Sequence, residues 1–202
     1  MDSRLFSSLR ARTGFGGKRT GHLEKWISLT GGLTGILAIM LVSEASLGLN
    51  GSASLVTSMG ASAVLLFAVP HGALSQPWSV FGGHLVSAVI GVACAQMIAQ
   101  PFVAAPLAVA LAIGAMHYLR CIHPPGGATA LTAVMGGDAV QALGFQFVIT
   151  PVLLNVLVIL SITVLFNFPF AWRRYPAALG RAHKPHGNTA GDTDAQSAIR
   201  HE

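Results

Sequence analysis

Apolar runs separated by short polar or prolyl breaks dominate residues 26 to 170. Four of these runs are long enough, at ~1.5 Å of helix per residue, to cross or nearly cross a hydrocarbon layer of ~30 Å. Two others are shorter and rich in small residues. The six predicted segments are 26–42, 54–69, 80–99, 102–119, 124–136 and 145–170, of which the second and fifth are the short ones. This pattern predicts an all-α membrane protein.

Turn residues and small residues mark where these segments end and where they pack. Asn50, Gly51 and Ser52 predict a turn between the first two segments, and Pro70 ends the second. In the third segment, small residues recur every four positions, which predicts close packing against a neighbouring helix. These small residues are Gly83, Ser87, Gly91 and Ala95.

Charged residues are nearly absent from the apolar region. The chain has 12 Lys and Arg and 7 Asp and Glu, but only Glu44, Arg120 and Asp138 lie between Trp26 and Trp172. A soluble core of this size needs a charged outer surface, so the pattern excludes a soluble globular protein. The net charge of +5 comes from short basic flanks that are not interleaved with aromatic residues. It therefore indicates membrane orientation and not nucleic-acid binding.

The stretch 120–132 interrupts helical backbone where almost no other charge occurs. Pro124 and Pro125 cannot continue the preceding helix but suit the first turn of a new one. The small residues that follow would let a ligand approach backbone N–H groups, and a helix N-terminus attracts anions. Arg120 would either draw a small anion to this helix start or anchor its helix at the headgroups. His123 would donate to the anion, carry a proton or have a structural role.

The two halves of the apolar region resemble each other. Residues 60–64 align with residues 127–131 at an offset of 67 positions. Each half consists of a long apolar segment, a short one and a second long one. At the same offset residues 82–84 align with 149–151, so we expect a weak point in the long helix after each short one. Because three crossings is an odd number, the second half would enter the membrane inverted, as in many transporters. Chance similarity among small apolar residues is the alternative.

The few charges agree with six crossings. If Lys25 lies in the cytoplasm, six crossings put Arg120 and Arg173 on the cytoplasmic side and Glu44 and Asp138 on the other. Re-entrant short segments would instead give four crossings, which leave the termini in place but move Arg120 outside.

Three blocks of sequence carry a resemblance to a known family. They are residues 60–67 (GASAVLLF), residues 76–84, which begin Gln-Pro and end Gly-Gly-His, and residues 123–131 (HPPGGATAL). With these blocks in this order, the chain resembles the HPP family of integral membrane proteins over residues 26–170. The resemblance implies an all-helical membrane domain and transport of nitrite, which is described for plant plastid and cyanobacterial relatives.

Together these patterns predict a membrane transporter or channel for a small inorganic anion, with nitrite implied by the resemblance. The anion would bind at half-helix N-termini near the bilayer midplane. The predicted substrate-binding residues are Gly60, Ala61, Ser62, Arg120, His123, Pro124, Pro125, Gly126, Gly127, Ala128 and Thr129. His84 and His117, within apolar helices, are either a proton path or neutral hydrogen-bonded residues. The alternative function is a membrane scaffold or sensor subunit that binds lipid or a protein partner without transport.

Catalytic and metal signatures are not recognisable in the sequence, so we expect no enzyme activity, no metal and no cofactor. We expect a homodimer or other homo-oligomer in the bilayer of a bacterial inner membrane, with both termini cytoplasmic and no nucleic-acid partner.

The sequence predicts three parts of the chain. They are a basic cytosolic tail (1–25), a transmembrane domain (26–170, with repeats 26–99 and 102–170) and a polar, disordered tail (171–202).

Overall fold

The computed structural model describes residues 20–181, apart from the side chains of residues 46–54, 180 and 181. Most of the two predicted tails, residues 1–19 and 182–202, therefore lies outside the described residues. The described residues form helices and no strand. The α-helices are α1 (His22–Ala68), α2 (Pro77–Met97), α3 (Pro101–Tyr118), α4 (Pro125–Met135), α5 (Asp138–Gln141), α6 (Leu154–Asn167) and α7 (Ala177–Arg181). Single 3₁₀ turns lie at Ala73–Ser75 and Ala171–Arg173, and a π-helical segment, Val148–Leu153, leads into α6.

Helix α1 is a hairpin of two helical arms. Its backbone is helical throughout, yet a Cβ atom on Gly31 would lie 2.5 Å from the ring of Phe67. In a straight helix residues 31 and 67 would be ~54 Å apart. The chain therefore reverses between an outer arm, His22–Ala45, and an inner arm, Leu55–Ala68. The predicted turn at residues 50–52 falls within this reversal, although the backbone there is helical and not an open turn.

Four helical segments are long and apolar enough to cross a membrane. They are the outer arm of α1, α2, α3 and Val148–Asn167. Helix α4 has only 11 residues, or ~16 Å of helix, and the inner arm of α1 is also short. The predicted all-helical membrane class is confirmed, as is the shortness of the fifth segment.

Helix α2 is the element against which α4 and α3 pack. The predicted ridge of small residues makes this possible, because a Cβ on Gly91 would lie 2.7 Å from the carbonyl oxygen of Ala130 in α4. A Cβ on Gly126 would likewise lie 2.6 Å from the carbonyl oxygen of Gly83. The prediction that the small residues of the third segment pack against a neighbour is therefore confirmed. Helix α1 joins this group through α4 and packs along α6.

Only one of the two predicted weak points is a break in helical backbone. Helix α2 runs without interruption through residues 82–84, so the prediction for the first half is wrong. In the second half the backbone leaves helical geometry at Thr150, with φ −129° and ψ 109°. The difference follows from residue type, because glycine keeps its N–H donor and can stay helical, whereas Pro151 has no donor.

A buried arginine ties the end of α6 to the start of α1. Arg173 is 1% exposed and forms an ion pair with Glu24. Its Nε donates to Asn167 Oδ1 at 2.9 Å, and its Nη2 donates to the carbonyl oxygen of Phe67 at 2.6 Å. Burial lowers the pKa of Arg173 from its ordinary value, and the carboxylate of Glu24 opposes that change. We call these four residues the Arg173 clasp.

The residues after α6 are part of the fold, which contradicts the prediction of a disordered tail from residue 171. The buried hydroxyl of Tyr175 donates to the carbonyl oxygen of Ser75 at 2.7 Å. At the same end, Trp78 Nε1 donates to the carbonyl oxygen of Leu119 at 3.1 Å. The start of α1, residues 69–76, residues 119–124 and residues 171–177 therefore meet at one end of the molecule.

Candidate functional site

Five polar side chains meet in the interior where the inner arm of α1, α2 and α4 come together. The inner arm contributes Ser58 and Ser62, which lie one helical turn apart and so share a face. Helix α2 contributes His84, helix α4 contributes Thr129, and the link between α3 and α4 contributes His123. All five side chains are 0% exposed. We call this group the His84–His123 cluster.

The prolyl break and two glycines bring His123 into the interior. Residues 119–124 belong to neither helix, and α4 begins at Pro125, as the two prolines predict. A Cβ on Gly83 would lie 2.5 Å from the Cβ of His123, and one on Gly82 would lie 2.8 Å from the Cβ of Cys121. Only a residue without a side chain at these positions allows the link to lie against α2.

One chain of short hydrogen bonds connects the cluster. His123 Nδ1 contacts the carbonyl oxygen of Leu74 at 2.8 Å, and His123 Nε2 contacts Ser62 Oγ at 2.9 Å. Ser62 Oγ contacts His84 Nε2 at 2.8 Å. His84 Nδ1 contacts Thr129 Oγ1 at 2.7 Å. The two imidazole rings are close as well, with centroids 4.9 Å apart.

Ser58 closes the far end of the chain. Its Oγ lies 2.7 Å from Thr129 Oγ1 and 2.9 Å from the carbonyl oxygen of Pro125, to which it donates. The cluster thus begins at one backbone carbonyl, of Leu74, and ends at another, of Pro125. The inner arm of α1 and helix α4, the two short helices, are joined directly by the Ser58–Thr129 contact.

Charged side chains lie away from the cluster. Arg120 is exposed and has a positive φ of 54°, and no hydrogen-bond partner of its guanidinium is found among residues 20–181. Glu44 and Asp138 are exposed, while Glu24 pairs with Arg173. Within the described part of the chain, therefore, the two histidines have neither an acidic nor a basic neighbour other than each other.

The structure does not form the predicted anion pocket of Arg120 and α4 amides. The N–H of Gly126 donates to the carbonyl oxygen of His123 at 2.9 Å, and the N–H of Gly127 donates to that of Pro124 at 3.0 Å. These two amides already have hydrogen-bond partners in this structure, so they are not free to bind a ligand here. The glycine at position 126 instead provides close packing against α2.

The other predicted site residues divide between the cluster and the surface. Ser62, His123 and Thr129 meet in the cluster, and Pro125 contributes its carbonyl oxygen. The remaining ones lie outside it: Pro124 and Ala61 are exposed, Gly60 and Ala128 are half-buried, and Gly60 lines a groove between the arms of α1.

His84 and His117, which were predicted as either a proton path or neutral hydrogen-bonded residues, do not lie together in the structure. His117 is exposed and lines an apolar recess of ≈ 260 Å³ with Met116 and Ile122. The partner of His84 is His123, which reaches it through Ser62. Sequence reasoning also missed Ser58 as a site residue, although its spacing of four positions before Ser62 was a signal that both hydroxyls face the same side of a helix.

One further buried hydroxyl, beside the cluster, has no partner within the described structure. Ser87 follows His84 on α2, and its Oγ forms no hydrogen bond within the described structure. It lies 2.8 Å from the position that a Cβ on Gly126 would occupy. An unsatisfied buried hydroxyl costs ~1–3 kcal/mol, so this donor is a group that a ligand could satisfy.

The apolar helices define an integral membrane protein, and its interior encloses a small polar cluster. The model of the HPP transmembrane region matches residues 18–176, so the chain belongs to the HPP transmembrane family. The resemblance stated from the sequence is confirmed.

Two curated relatives support the membrane class. A transmembrane protein of Dictyostelium discoideum is 43% identical over 126 residues, which cover 60% of this chain and 40% of that protein. A second transmembrane protein of the same organism is 39% identical over 147 residues, covering 71% of this chain and 51% of that protein. The chain therefore spans about half the length of these relatives or less. No solved structure matches the chain.

Proposed function

We propose that this protein is a membrane transporter for a small inorganic anion, with nitrite as the first candidate. The observation that carries the proposal is the His84–His123 cluster, together with the free hydroxyl of Ser87 beside it. Polar and ionisable groups are expensive inside a membrane protein, and where they occur they mark substrate and ion paths. A small oxyanion can accept hydrogen bonds from hydroxyl and imidazole groups.

The arrangement of long and short helices supports a transport path through the cluster. Both halves place a short helix between two long ones, and the two short helices meet at Ser58 and Thr129. We propose six crossings arranged as two inverted repeats, with the anion site near the bilayer midplane where the short helices meet. In this topology the end that carries Arg173 also carries Lys25 and Arg120, and it faces the cytoplasm.

The cluster is closed on all sides, which makes this conformation an occluded one. Its side chains have no exposed area, so an anion reaches them only after helices move apart. We propose that the helices separate at the interface between α2 and α4, which is formed by glycines and other small residues.

We also propose that the protein is a homodimer in a bacterial inner membrane, with both termini in the cytoplasm.

Flux measurements in liposomes test this function. Purified protein is reconstituted and challenged separately with nitrite, nitrate, formate, chloride and ammonium, with protein-free liposomes as background. We expect uptake of anions and not of ammonium. His123→Ala and Thr129→Val should reduce nitrite flux by roughly 10- to 100-fold, the value of one or two hydrogen bonds to a charged ligand.

Arg120→Ala is the matched variant because this side chain is exposed and outside the cluster. We expect it to retain most of the flux. Loss of flux in Arg120→Ala with full flux in His123→Ala would place the site at the exposed arginine instead. Absence of any anion flux from well-folded protein would overturn transport and favour the scaffold or sensor alternative.

A further inference from the structure

The hydrogen atoms on the two rings, Ser62 and Thr129 have one consistent arrangement when both rings are neutral. The carbonyl oxygen of Leu74 can only accept, so His123 Nδ1 carries a proton and His123 Nε2 accepts from Ser62. The oxygen of Ser62 then accepts from His84 Nε2, and His84 Nδ1 accepts from Thr129. This assignment follows from matching donors to acceptors.

The same cluster can hold one additional proton without breaking a hydrogen bond. If His123 Nε2 is protonated, the oxygen of Ser62 accepts from both rings, and its own hydrogen turns to the carbonyl oxygen of Ser58, 3.4 Å away. If His84 Nδ1 is protonated instead, Thr129 accepts from it and turns its hydrogen to the carbonyl oxygen of Pro125, 3.5 Å away. Each hydroxyl therefore has a second acceptor, and the proton can reside on either ring.

A proton on the cluster would have no counter-charge among residues 20–181. The inner arm of α1 and helix α4 face the rings with hydroxyls only, and α2 contributes His84 itself. The link 119–124 contributes buried Cys121 and exposed Arg120, and residues 69–76 contribute the Leu74 carbonyl and exposed His71. An unpaired charge in such an interior is costly, so an anion that arrives with the proton removes the cost.

We propose that the His84–His123 cluster binds one proton together with each transported anion, so that the protein carries the anion and the proton in the same direction. The inference rests on the proposed transport function and adds its coupling ion. One proton adds to a ring nitrogen on one side of the membrane and leaves on the other, and no bond of the anion is made or broken. The net charge moved is zero. By linkage, the anion strengthens proton binding as much as the proton strengthens anion binding.

The test compares two driving forces on the same proteoliposomes. Nitrite uptake is measured under a pH gradient with the lumen alkaline, and separately under a potassium diffusion potential set with valinomycin at equal pH. Passive entry into protein-free vesicles is subtracted in both cases. We expect the initial protein-dependent rate to rise with the pH gradient and to be unchanged by the potential, because a one-to-one pair is electrically neutral.

Histidine variants locate the coupling. Because either ring can hold the proton, the test variant carries both His84→Gln and His123→Gln, and we expect it to lose the response to the pH gradient. His117→Gln, at an exposed position, is the matched control and should behave as the native protein. If the double variant does not fold, the comparison of driving forces on the native protein alone decides. Flux that follows the potential and ignores the pH gradient would overturn proton coupling while leaving transport in place; no flux at all would overturn both.

Discussion

Ser62 bridges the two histidines, because its hydroxyl lies within hydrogen-bonding distance of both rings. Its Oγ contacts both rings, and with both rings neutral it accepts from His84 and donates to His123. Ser62, His84, His123 and Thr129 could each be singled out from the sequence, because polar residues are rare in its apolar segments. Their pairing could not be, since it depends on which helix faces meet.

Ser62→Ala should therefore destabilise the protein. The substitution leaves His84 Nε2–H and His123 Nε2 without a protein partner in a buried position, at a cost of ~1–3 kcal/mol. The matched control is Ser161→Ala on the exposed face of α6, which should change stability by less than ~0.5 kcal/mol. Unfolding of both variants in mixed micelles, followed by circular dichroism, gives the comparison. Equal stabilities would mean that the Ser62 contacts contribute nothing.

Two adjacent glycines test the close packing of α2 and α4. Gly126→Ala places a Cβ 2.6 Å from a backbone oxygen of α2, and overpacking of this kind costs ~1–3 kcal/mol. Gly127→Ala meets its nearest neighbour at 3.9 Å and should be neutral or gain up to ~1 kcal/mol from helix propensity. Thermal unfolding in detergent ranks the two. A Gly126→Ala variant as stable as the native protein would show that the helices separate at no cost.

At the scale of elements, helix positions followed from the sequence more readily than their tertiary contacts did. Prolines at the first turns of α2, α3 and α4 mark helix starts, as their fixed φ predicts. The Arg173 clasp could not be predicted, because it joins residues 149 positions apart in the chain. An arginine just after an apolar helix is ordinarily interpreted as a headgroup anchor, and only burial distinguishes this one.

Arg173→Ala should weaken the attachment of residues 171–177 to α1. Removing one partner of a fully buried ion pair costs ~3–5 kcal/mol, and the 28% exposure of the Glu24 side chain places the expected loss below that range. Arg174→Ala is the neighbouring control, since its exposed guanidinium only lies over the Phe168 ring at 6.0 Å. Limited proteolysis after residue 170 should accelerate in Arg173→Ala alone. Equal cleavage of both variants would show that the clasp does not hold this segment.

At the scale of the whole molecule, the distribution of charge and hydropathy was sufficient to predict the membrane class. It was not sufficient to find the buried cluster that we propose as the anion site, because Arg120 stands out in sequence but is exposed in the fold. The sequence draws attention to polar residues of the buried cluster one by one, but it does not show that they contact one another. Its location follows only from the way the two short helices meet.

The proposed topology predicts which side of the membrane each loop faces. With six crossings, a cysteine at Arg120→Cys is labelled by an impermeant maleimide from the same side as one at Lys25→Cys, and a cysteine at Asp138→Cys from the opposite side. The native Cys94 and Cys121 are buried, so the native chain gives the background. Labelling of residues 25 and 120 from opposite sides would support four crossings instead.

The most direct test of the central claim observes the histidine rings while an anion binds. The chain has 8 histidines, and ¹⁵N-histidine labelling gives ring nitrogen signals that His84→Gln, His123→Gln and His117→Gln assign. Titration of the native protein with nitrite should move the signals of His84 and His123 and leave that of exposed His117 unchanged. Movement of the His117 signal alone, or of no ring signal at saturating nitrite, would contradict the assignment of the buried cluster as the anion site.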